Sequence, residues 1–210
     1  MAEPKPQHPP KTLLIACGAL AREILMVIEV NNWKHVEVTC LPASFHNYPE
    51  RITDAMRDKI RENRPDFEQI IALFADCGTG GMLDRMLEEE GVVRIPGAHC
   101  YEFYATSEKF HPMAEQELGT FYLTDYLARQ FDVLIMEGMG LNKHPELMPM
   151  YFGNYKRLVY LAQTDDAALQ EKAKAAAEKL GLTYEYVFTG LGGLRGFLEG
   201  QNPDNDMQEQ

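Results

Sequence analysis

The sequence predicts an α/β protein with a mostly parallel sheet and helices on both faces. Short apolar runs alternate with helical stretches along the 210 residues, an order typical of parallel strands joined by helical crossovers. No interdomain linker interrupts this order, so we expect a single α/β domain over residues 12–199. The proline-rich residues 1–11 and the polar residues 200–210 are expected to form a disordered N-terminus and a disordered tail.

Seven strands are expected, each at a short apolar run that is followed by a turn or helix signal. The third run is continuously apolar, as strands buried on both faces of a parallel sheet are. Pro42 ends the second strand, because proline has no N–H to donate to the ladder. The expected strands occupy residues 12–16, 36–41, 70–75, 92–95, 120–123, 158–162 and 184–188.

Helices are expected between these strands, where apolar residues recur at helical spacing. Pro49 suits the opening of the second helix, and Gly91 is typical of the residue that ends one. Thr124 or Asp125 is expected to cap the helix after the fifth strand. The expected helices occupy residues 20–30, 49–63, 82–90, most of 101–118, and 166–180, while 132–156 carries no clear pattern.

Composition and charge argue against several classes of partner. With 20 Lys and Arg against 32 Asp and Glu the net charge is −12, whereas nucleic acid and anionic membranes require a basic surface. Residues 1–10 lack the apolar core of a signal peptide, and no apolar run approaches the roughly 20 residues that span a bilayer. We therefore expect a cytoplasmic protein, without nucleic-acid or membrane partners, whose four cysteines remain thiols.

Each of the four cysteines closes a short apolar run, and their spacing is matched in two pairs. Cys17 and Cys40 are 23 positions apart (40 − 17), and Cys77 and Cys100 are also 23 apart (100 − 77). The pattern predicts a strand–Cys–helix–strand–Cys unit used twice, with its thiols at the carboxyl edge of the sheet, where open parallel sheets bind ligands. The alternative is that the cysteines are small buried hydrophobic residues.

A histidine beside Cys100 adds to a candidate metal site. Zinc and iron–sulfur sites both use cysteine thiolates with an occasional histidine. These ligand types suit zinc and an iron–sulfur cluster equally, so the identity of the metal stays open. The predicted metal ligands are Cys17, Cys40, Cys77, His99 and Cys100.

The sharpest motif is a glycine-rich turn between the third strand and the next helix, Asp76-Cys77-Gly78-Thr79-Gly80-Gly81. At a helix start, backbone N–H groups and the helix dipole favour an anion or a thiolate. We expect a lowered pKa for Cys77, which makes it the candidate catalytic nucleophile as well as a ligand. The predicted cofactor-binding residues are Asp76, Gly78, Thr79, Gly80, Gly81 and, in the aromatic segment 150–155, Asn154. The alternatives are a tightly packed turn and an aromatic segment that packs in the core.

Several motifs of this chain carry a resemblance to a known family. They are Ala16-Cys17-Gly18-Ala19-Leu20, Thr39-Cys40-Leu41-Pro42, His46-Asn47, Ala75-Asp76-Cys77-Gly78-Thr79-Gly80-Gly81, His99-Cys100-Tyr101, Tyr151-Phe152-Gly153-Asn154-Tyr155 and Leu158-Val159-Tyr160-Leu161-Ala162-Gln163-Thr164-Asp165-Asp166. Across about residues 12–199 they resemble a bacterial and archaeal family catalogued as a domain of unknown function, family sixteen thirty-eight. Its members tend to be encoded beside corrinoid (cobalamin) methyltransferases, corrinoid-binding proteins and iron–sulfur reactivating proteins. The resemblance implies a role in corrinoid-dependent methyl transfer and assigns no catalytic residue.

Three functions follow from these patterns together with the resemblance, which alone implies the corrinoid role. The preferred one is a cysteine-ligated zinc or iron–sulfur protein that acts as a methyltransferase component or as a corrinoid reactivation accessory, with the corrinoid supplied by a partner protein. The second is a docking or chaperone-like partner of a corrinoid protein that performs no chemistry, with the acidic surface and residues 148–155 as its interface. The third is a metal-free thiol enzyme that uses Cys77.

Overall fold

A computed structural model describes residues 9–201 of the chain. The disorder expected for residues 1–8 and 202–210 lies outside the described residues. Within them the strands are β1 Thr12–Cys17, β2 Val36–Leu41, β3 Gln69–Leu73, β4 Val93–Arg94, β5 Thr120–Leu123, β6 Arg157–Ala162 and β7 Thr183–Phe188. The helices are α1 Ala21–Val30, α2 Ile52–Asn63, α3 Met82–Glu90, α4 Cys100–Ala105, α5 Ser107–Gln116, α6 Asp125–Arg129, α7 Met148–Phe152, α8 Ala167–Leu180 and α9 Gly193–Gly200.

The described chain divides into two compact units, each built on its own sheet. Residues 9–98 and 194–201 form the first unit, and His99–Gly193 form the second. All strand pairs in both sheets are parallel, which confirms the predicted α/β class and the parallel pairing. The single domain expected over residues 12–199 stays a prediction.

In the first unit the strand order is β2-β1-β3-β4. Because side chains alternate along a strand, Leu13 and Ile15 face one side of the sheet. There they pack in one hydrophobic cluster with buried side chains of α2 and α3, such as Met56 and Met86. On the other side, Leu14 lines a small cavity together with Leu198 of α9. Helices therefore cover both faces of this sheet.

In the second unit the strand order is β5-β6-β7. Leu158 and Tyr160 of β6 share a cluster with buried residues of α6 and α8. Val159 and Leu161, which alternate with them, pack against Ala105 of α4 and Phe110 of α5. This sheet is also covered on both faces.

Most element boundaries agree with the sequence analysis, and two differ in ways that matter for the site. The fourth strand is reduced to Val93–Arg94, and Cys100 opens α4 instead of following a strand. Residues 132–156, which carry no clear sequence pattern, contain a π-helical turn at Asp132–Glu137, a 3-10 turn at Pro145–Leu147 and α7. Of the helices within residues 9–201, none has the length and apolar character needed to cross a membrane.

Candidate functional site

The strand order of the first sheet indicates where a ligand would bind. From β1 the chain crosses to β2 on one side, and from β3 it crosses to β4 on the other side. Because β1 and β3 are neighbours, their connections diverge and open a crevice outside their carboxyl ends. The turn after Cys17 and the loop after Leu73 border this switch point.

Two of the predicted cysteines come together at the switch point. Cys17 is the last residue of β1, and Cys77 lies in the loop after β3. Both are partly buried thiols that pack against the hydrophobic cluster beneath α2 and α3. Burial raises the pKa of Cys17 to about 12 despite a hydrogen bond from the Ala19 N–H, and nearby Cys77 and Cys40 add to the rise. Cys17 is therefore a neutral thiol at pH 7.

Cys40 points to the opposite face of the sheet. In the β1–β2 pairing, Ala16 is level with Cys40, and Cys17 is level with Leu41. Since successive side chains of a strand alternate, Cys40 shares the face of Ala16, and Cys17 shares that of Leu41. Burial raises the pKa of the Cys40 thiol. In this pairing, residues of β1 and β2 that are 24 positions apart (41 − 17) are level with each other. Cys17 and Cys40 are 23 positions apart, so they are not level and lie on opposite faces.

The second matched pair of cysteines has a different geometry. Ile71 of β3 is level with Val93 of β4, an offset of 22 (93 − 71). Beyond the ladder, the Cys77 N–H donates to the carbonyl of Ala98 at 2.9 Å. The predicted ligands that follow belong to the second unit, where His99 is exposed and Cys100 is the first residue of α4.

Asn154, predicted to bind a cofactor, also belongs to the second unit. It is exposed in the turn between α7 and β6. Its carbonyl oxygen would lie 2.5 Å from a Cβ placed on Gly119, so the two backbones approach closely. This contact accounts for the glycine at position 119.

The aspartate of the glycine-rich loop holds the loop closed. The Asp76 carboxylate accepts hydrogen bonds from the Thr79 hydroxyl at 2.7 Å and from the N–H groups of Gly81 and Gly80 at 2.8 and 3.2 Å. Burial would raise the pKa of Asp76, but these bonds and the charge of Arg94 lower it. The N–H groups of Gly80 and Gly81, predicted for a ligand, therefore have Asp76 as their acceptor.

Cys77 occupies an unusual backbone conformation within this loop. Its φ is +50°, in the left-handed region that a residue with a side chain seldom adopts. The following Gly78 has φ +83°, and a Cβ there would contact Pro49. Left-handed backbone at residues other than glycine is concentrated at functional sites. A sharp strand-to-helix turn is also the setting in which several enzymes present a nucleophile.

Arg94 supplies a fixed positive charge beside the loop, a feature that the sequence analysis did not identify. Its guanidinium donates to both carboxylate oxygens of Asp84 and to two backbone carbonyls of the next turn. The bond to Asp84 is the main cause that raises the pKa of Arg94, and the charges of Asp76 and Cys77 add to it. The sequence signal was an arginine ending a short strand that follows the glycine-rich loop and its helix.

The cysteine thiols at the switch point are of the type that a thiophilic metal prefers, but they are fewer than such a metal needs. Cysteine thiolates suit both zinc and iron–sulfur clusters. Cys17 and Cys77 offer two thiols on one face, whereas structural zinc takes four protein ligands and catalytic zinc takes three. Across residues 9–201, no group of three or more His, Cys, Asp or Glu side chains is placed to hold a metal ion. The structure places the other predicted ligands elsewhere, Cys40 on the opposite face of the sheet and His99 and Cys100 in the second unit.

The second unit contains a buried carboxylate that the sequence analysis considered only as a helix cap. Asp125 is fully buried at the start of α6. Its oxygens accept hydrogen bonds from the Tyr160 hydroxyl at 2.7 Å and from the N–H groups of Gln163 and Thr164 at 2.9 and 3.1 Å. The Thr164 hydroxyl donates to it as well, and Arg129 lies 3.5 Å away. Asp125 thus ties the carboxyl end of β5 to that of β6.

The cap of α6 is the neighbouring residue. The Thr124 side chain accepts a hydrogen bond from the Leu127 N–H, which leaves Asp125 as the first helical residue. The sequence signal that could have identified the buried pair is Asp125 four residues before Arg129, since this spacing places the two on one side of a helix.

Comparison with known proteins gives a match to a protein family. A family model described as "Protein of unknown function (DUF1638)" matches residues 40–198, which include Cys40, the glycine-rich loop and Asp125 and leave out β1 with Cys17. No curated protein and no solved structure matches the chain.

Proposed function

We propose that this chain, which belongs to the DUF1638 family of proteins of unknown function, has a cysteine-based site that acts in corrinoid-dependent methyl transfer. The observation that supports it is the position of Cys17 and Cys77 on one face of the sheet, at the diverging ends of β1 and β3. Parallel α/β sheets bind their ligands at this point of the fold. The corrinoid itself is supplied by a partner, either a corrinoid-binding protein or a methyltransferase.

Metal coordination would change the state of Cys17. A thiol with a pKa of about 12 is a poor nucleophile at neutral pH. Coordination to a metal ion removes the proton and makes such a thiol a ligand. In this proposal Cys17 and Cys77 are two of the ligands, and ligand roles for Cys40, His99 and Cys100 stay predictions. Bound zinc would activate a substrate thiol for methylation, whereas an iron–sulfur cluster would supply electrons that reactivate oxidised cobalt.

The other groups at the switch point have definable roles. Asp76 and Thr79 fix the loop through the hydrogen bonds that close it. Arg94, held by Asp84, places a positive charge near Cys77 that compensates part of the negative charge of a thiolate. These residues therefore position Cys77 and need not touch the substrate.

The backbone of Cys77 supports a second candidate, a metal-free thiol enzyme. The left-handed φ of Cys77 presents its side chain on a tight strand-to-helix turn. Its N–H is bonded to Ala98, so stabilisation of an oxyanion would have to come from other groups. Alkylation of Cys77 that abolishes activity in protein without bound metal would favour this candidate.

The surface of the second unit supports a third candidate, a docking partner without chemistry. Met150 of α7 is 73% exposed, and Tyr151 and Tyr155 beside it are also exposed. Methionine and tyrosine are enriched at protein interfaces. A complex with a corrinoid protein that survives replacement of the cysteines would favour this candidate.

The test combines binding with spectroscopy under anaerobic conditions. A corrinoid-binding protein loaded with methylcobalamin is mixed with the full chain and an excess of an alkyl thiol as methyl acceptor, and complex formation and the corrinoid absorption spectrum are followed together. We expect a complex and a change of the cobalt spectrum, with the spectral change lost in Cys77→Ser. Tyr48→Phe, a change at an exposed residue of the same unit, is the control and should behave as wild type. Absence of both complex and spectral change in the wild type would contradict the proposal.

A further inference from the structure

The second unit contains a cavity between α6 and α8 that the cysteine site does not involve. Its volume is about 130 Å³, and the residues that line it come from the end of α6, the turn after it and one face of α8. The cavity is open to solvent, because Asp132, Lys172, Ala175 and Lys179 in its lining are exposed. The lining residues are Ala128, Arg129, Phe131, Asp132, Lys172, Ala175, Ala176 and Lys179.

The space results from small residues on the facing sides of the helices. Lys172, Ala175, Ala176 and Lys179 follow the 3–4 residue spacing that forms one stripe of α8. The two alanines at the centre of this stripe line the gap together with Ala128, and their short side chains leave it unfilled. The long side chains at the ends of the stripe carry positive charge. The stripe therefore places a lysine on each side of the two alanines.

Arg129 adds a third positive charge with unused donors. Its side chain is only 23% exposed, and Asp125 at 3.5 Å is its ion-pair partner among residues 9–201. The oxygens of Asp125 already accept bonds from Tyr160, Gln163 and Thr164. A guanidinium has five N–H donors, so several are available to a group in the cavity.

The charges around the cavity select the kind of ligand. Arg129, Lys172 and Lys179 line the cavity with one carboxylate, Asp132, which is paired with Lys179, and the buried Asp125 outside the lining is paired with Arg129. This concentration of positive charge is local, because the chain as a whole carries a net charge of −12. Arginine binds phosphate through paired hydrogen bonds, and lysine adds attraction as a point charge. We propose that this cavity binds a phosphate group, either free phosphate or the phosphate of a monoester.

Titration of the full chain with inorganic phosphate, followed by calorimetry in a low-chloride buffer, tests the proposal. The wild type should bind phosphate with a dissociation constant of up to about 10 mM. Lys172→Gln should weaken binding by about two- to fivefold, the range for an exposed ion pair. Lys174→Gln removes an equally exposed charge from α8 outside the cavity, and it should leave the affinity unchanged.

A second variant tests the cavity independently of charge. Ala175→Leu fills the space from an exposed helical position that tolerates leucine, so it should abolish phosphate binding while the protein stays folded. Methyl phosphate identifies the source: tighter binding than inorganic phosphate indicates a monoester, and equal or weaker binding indicates the free ion. No binding by the wild type, or equal losses in Lys172→Gln and Lys174→Gln, would overturn the proposal.

Discussion

Replacement of Asp125 by asparagine should destabilise the second unit, although the side chain keeps its size. The carboxylate accepts hydrogen bonds on both oxygens, with the N–H of Gln163 on Oδ1 and the N–H of Thr164 on Oδ2. An amide offers one oxygen and one NH₂ group. Whichever way the new side-chain amide is turned, its NH₂ group would face one of these two backbone N–H groups, and that donor loses its acceptor.

The magnitude follows from the number of groups left without a partner. One orphaned buried N–H costs about 1–3 kcal/mol. Loss of the negative charge beside the largely buried Arg129 adds to this cost, so we expect about 2–4 kcal/mol for Asp125→Asn. Asp125→Ala also removes the acceptor of the Tyr160 hydroxyl and should cost about 3–5 kcal/mol. Either loss is a large share of the roughly 5–15 kcal/mol that typically stabilises a domain.

Urea unfolding followed by circular dichroism measures the effect, and hydrogen exchange in β6 locates it in the second unit. Asp166→Asn is a matched control in the same unit. Asp166 caps α8 by accepting from the N–H groups of Ala168 and Leu169, and asparagine caps a helix about as well as aspartate. A stability of Asp125→Asn equal to that of Asp166→Asn would refute the reasoning.

Further predictions concern the glycines before α9 and the loop aspartate. Gly192→Ala should unfold or strongly destabilise the second unit in a thermal melt, because the new Cβ would overlap the Tyr104 carbonyl. At Gly190 the φ is also positive, but a Cβ would have no atom closer than 3.9 Å, so Gly190→Ala should cost about 1 kcal/mol of stability. Equal melting temperatures for the two variants would contradict this. The folded-state pKa of Asp76 is lowered, so its contribution is complete above about pH 4 and is lost as the pH falls further. Asp76→Asn should therefore reduce the loss of stability that the wild type shows as the pH falls below about 4. The same loss in the variant and the wild type would contradict a stabilising role for the hydrogen bonds to Asp76.

Much of the fold was predictable because local signals agree with tertiary contacts. The helix expected at 82–90 has those bounds, since Gly91 adopts the left-handed conformation that ends it. The helix expected at 166–180 begins one residue later because Asp166 serves as its cap. The division of the strands into two sheets was not visible, because the pairing of each strand depends on distant residues and no linker marks the boundary.

The candidate site was predictable in part. Alternation of strands and helices predicts Cys17 and Cys77 after strands of a parallel sheet, and in the structure Cys17 ends β1 and Cys77 lies in the loop after β3. Equal spacing could not show which face a thiol occupies, because a shift of one residue reverses the face. The register of β1 and β2 therefore places Cys40 opposite Cys17. The bonds to Asp125 were invisible for a related reason, since they join segments 35 to 39 residues apart.

The measurement that tests the central claim most directly is metal content together with the absorption spectrum. The full chain and its Cys17→Ser and Cys77→Ser variants are purified without oxygen and without a metal-binding tag. The account predicts near-stoichiometric zinc, or iron with sulfide and a brown chromophore, in the wild type, and loss of the metal in both variants. Cys40→Ser and Cys100→Ser then test the ligand roles predicted for the other two cysteines. A folded, colourless wild-type protein without metal would contradict the account.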